Sequence, residues 1–110
     1  MSALLLCMKG RIKMKLMISQ PMRGKTNEQI REERAELVKQ LEAEGHEVVD
    51  TVFDLAPKGV DEAIYFLSKS IEFISQVDGL VFMPGWENAR GCRIEYNVAV
   101  AYGKFIKVLN

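Results

Sequence analysis

Histidine, proline and cysteine are all scarce in this chain, and none of its apolar runs is long. A single histidine in 110 residues excludes the histidine-rich constellations of zinc sites and hydrolytic triads. Two cysteines, Cys7 and Cys92, make no disulfide framework; they read as free thiols in a reducing cytoplasm. No apolar segment approaches the roughly 20 residues that cross a bilayer, so no membrane partner is expected. Fifteen basic residues balance fifteen acidic ones, which removes the electrostatic case for a nucleic acid polymer. The glycines form neither a dinucleotide nor a phosphate-loop fingerprint. No metal and no organic cofactor are expected.

What is present is ordinary globular material, 48% hydrophobic and 27% charged, of a length that suits one domain. Residues 1–13 stand apart. Their apolar part, Ala3 to Met8, is shorter than a signal-peptide core and follows no basic region. They read as a leader, disordered or forming an extra edge strand, with Met14 as the natural start of a domain over 14–110.

Four apolar segments read as strands: Lys15–Ser19, His46–Val52, Gly79–Met83 and Phe105–Leu109. Between them lie three helical patterns. Glu28–Glu44 carries Ile30, Leu37, Val38 and Leu41 on one stripe, its remaining charges reading as a solvated face. Asp61 caps a helix to about Gln76 with Ile64, Leu67, Ile71 and Ile74 inward, and Gly91–Tyr102 forms the third. Alternating strands and helices imply an α/β fold with a parallel sheet and right-handed crossovers.

The stretch from Val81 through Pro84-Gly85-Trp86-Glu87-Asn88-Ala89-Arg90-Gly91 to Glu95 carries the chemistry. A strand ends in a turn and a helix begins, and ligands collect at such junctions in open sheets. Glu95, placed by this reading in the first turn of the helix, is a candidate nucleophile or acid/base. Arg90, Gly91 and Arg93 suit a phosphate, and the sole tryptophan, Trp86, suits stacking on a base. Ser19 and Gln20 end the first strand, and Arg23 and Gly24 follow in the loop. Asn88 suits a sugar hydroxyl. His46 reads as a surface residue, Cys92 as packing, and Tyr96 and Tyr102 as core.

In these segments the chain resembles the nucleoside 2-deoxyribosyltransferase superfamily. It is most similar to the small phage and bacterial branch, related to the 2′-deoxynucleoside 5′-phosphate N-hydrolases. Met17–Gly24, Glu44–Val49, Val77–Val81 and Pro84–Glu95 carry the likeness. The resemblance implies a flavodoxin-like Rossmann three-layer sandwich of four or five parallel strands, and a homodimer or higher homo-oligomer. It implies cleavage or transfer at the N-glycosidic bond of a 2′-deoxynucleoside or its 5′-monophosphate. Glu95 would attack C1′, with Asp78 as an orienting group. The chain departs from better-known members at Met17-Ile18, where they carry a tyrosine, and at Ser70 and Ala89, where they carry aspartates. Two other readings remain open: a non-catalytic nucleotide-binding module, and a Lonely Guy-type phosphoribohydrolase. The latter's Pro-Gly-Gly-x-Gly-Thr-x-x-Glu motif is matched only in part by Pro84 to Glu95.

Overall fold

The computed structural model describes residues 13–53 and 55–110. Residues 1–12, and with them the question of a fifth strand, lie outside the described residues. The elements follow in the order β1 (Lys15–Ser19), α1 (Asn27–Ala43), β2 (Glu47–Val49), α2 (Glu62–Ile74), β3 (Gly79–Phe82), α3 (Arg90–Ala101) and β4 (Phe105–Val108). A short 3-10 turn, Trp86–Asn88, precedes α3. All strand pairs are parallel and the sheet order is β2-β1-β3-β4. This is a flavodoxin-like three-layer α/β sandwich, its parallel sheet as the alternation of elements predicts and its layering as the resemblance implies.

Side chains alternate across the strands and so feed two separate cores. Leu16, Ile18 and Val81 pack with Leu37 and Leu41 of α1 on one face. Met17, Leu80 and Phe82 pack with Ile74 of α2 and Ala99 of α3 on the other. One helix therefore covers the first face and two cover the second. The chain leaves β1 toward one face and β3 toward the other, although the two strands are hydrogen-bonded neighbours. Loops that part in this way open a crevice at the carboxyl edge between β1 and β3.

Local chemistry sets the boundaries. Thr26 and Gln29 form a reciprocal capping box that starts α1, with Gln29 N–H donating to Thr26 Oγ1 at 3.1 Å. Asp61 Oδ1 accepts from Ile64 N–H at 3.0 Å and starts α2. Gly79 must be glycine. A Cβ there would lie 2.7 Å from the carbonyl oxygen of Phe105, its register partner where β4 begins beside β3.

Three expectations about placement are corrected. The second strand spans Glu47–Val49 only, since Asp50 Oδ1 accepts from Val52 N–H at 3.0 Å and turns the chain away from the ladder. His46 is buried, not superficial, and its Nδ1 accepts from Met14 N–H at 3.0 Å. Ile64 and Tyr102 are exposed, because the first turn of α2 and the end of α3 extend past the packed surface.

Candidate active site

Glu95 is the centre of the site. It projects from α3 toward the end of β1, where its Oε1 accepts from Ser19 Oγ at 2.6 Å. Both residues are buried, Glu95 with 7% of its surface exposed. Because α3 begins at Arg90, Glu95 occupies the second turn rather than the first. The helix-end field falls off within one turn, so burial and near neighbours govern this carboxyl instead. Burial pushes its pKa above the ordinary value, while the hydroxyls of Ser19 and Ser70 and the charge of Arg34 oppose that rise. A carboxyl held this way is less solvated, and more basic, than one in water.

Cys92, one turn before Glu95 on the same helix, shares its surroundings. Its thiol is pushed up to about 11, first by burial and further by the Glu95 charge, with the Ser19 hydroxyl opposing. It therefore remains a protonated, inert thiol at neutral pH.

The crevice walls are the two loops that leave β1 and β3. They approach closely: a Cβ on Gly85, which holds a left-handed φ of 90°, would stand 3.6 Å from Pro21 Cγ. A Cβ on Gly91 would meet no atom within 4 Å, so the start of α3 faces open space. Ala89 offers no side-chain cap to the first N–H groups of α3, which leaves those donors for an anion.

Residues 14–108 match the family described as "Domain of unknown function (DUF4406)". The chain belongs to the DUF4406 family. No curated protein and no solved structure gives a match.

In this DUF4406 domain the expected site residues divide into three groups. Ser19 and Glu95 meet directly. Arg23 and Gly24 lie in the exposed turn after β1, while Asn88, Arg90, Gly91 and Arg93 line the loop and helix start after β3. These residues flank the crevice from its two sides. Arg90 and Arg93 are solvent-exposed, and Arg93 Nη1 donates to the Glu87 carbonyl at 2.9 Å.

The third group is displaced from the chemistry. Asp78 precedes β3 and so sits at the amino edge of the sheet, a full strand away from Glu95. There its carboxylate accepts from Lys15 N–H at 2.8 Å, joining β3 to the start of β1. Gln20 is buried with its amide committed: Nε2 donates to the Ile30 carbonyl at 3.1 Å and to Glu33 at 3.2 Å, and Oε1 accepts from Arg34. Trp86 stacks on Tyr96 with ring centroids 4.6 Å apart and also touches Phe82. One face of its indole is thus occupied by packing.

Sequence reasoning named Ser70 only as a departure from the superfamily pattern, and it missed Arg34. Ser70 lies on α2 and reaches Glu95 only because α2 and α3 pack on the same face. Arg34 carried a readable signal. It falls between Ile30 and Leu37 on the apolar stripe of α1, so the pattern itself places its side chain inward. A groove of about 580 Å³ runs between α1 and β2, lined by Val38, Ala43 and Val48 and by the charged Arg34, Glu42 and Asp50 among others. It contains neither Ser19 nor Glu95.

Among the described residues no cluster of histidine, cysteine or carboxylate side chains could hold a metal ion. No helix among them is long and apolar enough to cross a membrane.

Proposed function

We propose that the protein cleaves or transfers at the N-glycosidic bond of 2′-deoxynucleosides or their 5′-monophosphates, with Glu95 as nucleophile. One observation carries this reading: a buried carboxylate, gripped by Ser19 Oγ at 2.6 Å, at the switch point of a doubly wound sheet. The sequence likeness from Pro84 to Glu95 supplies the substrate class.

As the base departs, positive charge develops at C1′ and the ring oxygen. A near carboxylate stabilises that charge and then bonds to C1′, as in retaining glycosidases. Ser19 fixes one oxygen of Glu95 and so orients the other toward the attack. The exposed N–H groups at the start of α3 and the nearby Arg90 and Arg93 suit a 5′-phosphate. Water or a second base then resolves the ester. A second copy of the chain closing the crevice fits the solvent-facing positions of Arg23, Asn88 and Arg90.

A second reading rests on Ser70. Where members of the nucleoside 2-deoxyribosyltransferase superfamily, which the sequence resembles, carry an aspartate, this chain presents only a hydroxyl to Glu95. That favours a nucleotide-binding module without turnover. Chromatographic detection of base release from a panel of deoxynucleosides and their monophosphates separates the two. Release that is lost in Glu95→Gln supports the enzyme. Nucleotide binding without release, even with an acceptor base added, supports the module.

A further inference from the structure

Arg34 is a charged residue in a place built for an apolar one. It is 4% exposed and sits on the inward stripe of α1. Nε donates to Gln20 Oε1 at 2.8 Å and Nη1 to Thr51 Oγ1 at 3.3 Å. Gln20 follows β1 and Thr51 follows β2, so one guanidinium ties the carboxyl ends of adjacent strands. Nη2 is buried with no hydrogen-bond partner. No described carboxylate forms an ion pair with it, and Asp50, the strongest acidic influence on it, is bonded to Arg31 at 3.3 Å.

A buried cation with only neutral partners is strongly unfavourable, and an apolar side chain of similar reach would fill the stripe without that penalty. Local violations of packing rules concentrate at functional sites. The nearest site is Glu95: Gln20, which Arg34 holds, is joined by a peptide bond to Ser19, which holds Glu95.

We propose that Arg34 is a positioning residue of the Glu95 site, bracing the ends of β1 and β2 and setting a fixed positive charge behind the Ser19–Glu95 pair. The proposal rests on Glu95 being the reacting group. Ser19 from β1 bonds Glu95, Ser70 from α2 and Cys92 from its own helix lie beside it, and the charge of Arg34 acts on it from α1 across the ends of the strands. Arg34 is the charged one among them. Attack on carbon requires the carboxylate, whereas burial favours the neutral acid. The cation works against burial without touching the carboxylate, so it adds no contact beyond those of the Ser19 and Ser70 hydroxyls. A direct ion pair would occupy the carboxylate oxygens.

The test is a carbon-13 NMR titration of the Glu95 carboxyl, assigned with Glu95→Gln, in the wild type, Arg34→Lys and Arg34→Gln. The Glu95 midpoint is expected to move upward in Arg34→Gln and to stay near the wild-type position in Arg34→Lys. Arg34→Met, which fills the stripe without charge, replaces Arg34→Gln if the latter does not fold, with the same expectation. An identical midpoint in all variants overturns the proposal. Base release followed against pH in parallel should show its acid limb moving with the midpoint. A lowered rate with an unmoved limb marks Arg34 as merely structural and also overturns it. If the midpoint moves but no variant or wild type releases base, the placement of Arg34 stands and the glycosidase reading falls.

Discussion

Replacing Glu95 with glutamine should stabilise the protein at neutral pH. Burial raises the folded-state pKa of this carboxyl, so the native state binds its proton more tightly than the unfolded chain does. The favourable contribution is complete below the unfolded value, about 4.3 for a glutamate, and is lost as pH rises through the folded value. Above that window the ionised group works against folding. Burying a carboxylate costs several kcal/mol, of which a charge-assisted hydroxyl bond such as that from Ser19 returns about 1.5–3 kcal/mol. Glutamine retains a neutral bond to Ser19, worth about 1 kcal/mol, and escapes the desolvation of charge. The net gain expected at about pH 8 is on the order of 1 kcal/mol, or roughly 4 °C in Tm for a domain of this size. At about pH 4 the gain should vanish, because Glu95 is then protonated in the native state. Thermal melts followed by circular dichroism at the two pH values measure both quantities. A glutamine variant less stable than wild type at pH 8, or equally stabilised at both, would refute the reasoning.

Four further outcomes are expected. Gly79→Ala should destabilise by about 1–3 kcal/mol in urea, since its Cβ would lie 2.7 Å from the Phe105 carbonyl. Gly91→Ala should leave the melt unchanged or raise it by up to about 1 kcal/mol, its Cβ meeting nothing, and should weaken nucleotide binding by calorimetry. Asp78→Ala should cost about 1 kcal/mol through the lost Lys15 bond, while the rate of base release stays within twofold. Cys92 should resist iodoacetamide at about pH 8 over a time that fully alkylates a free thiol, because its thiol is pushed up to about 11.

The fold was legible because its strands obey simple burial rules. Gly79–Phe82 is apolar throughout and buried throughout, as a central parallel strand must be. The stripe of α1 and the cap at Asp61 were equally plain. The end of β2 was not, because a single Asx turn at Asp50 outweighed the apolar run that continues to Val52. At the site, the meeting of Ser19 and Glu95 followed from a strand end and the helix after β3, although Glu95 sits one turn deeper in that helix than the sequence suggested. Asp78 was misplaced although the rule for open sheets already excluded it: a residue preceding a parallel strand lies at the amino edge, away from ligands. Ser70 was unreadable in its role, since only the packing of α2 beside α3 brings it to Glu95. Arg34 was taken for part of a solvated face, whereas its position on the stripe outweighed its charge.

The aromatic stack beside the site has a practical consequence. The chain contains one tryptophan, its ring lies 4.6 Å from that of Tyr96, and Tyr96 is the residue after Glu95. Ultraviolet emission from this protein therefore arises chiefly from one fluorophore, packed against the helix that carries Glu95. Any ligand that enters the crevice, or any shift in the opening turns of α3, alters the quenching of that ring. The wild-type molecule is thus its own optical gauge, and candidate nucleotides can be ranked by simple titration in a cuvette with no label attached.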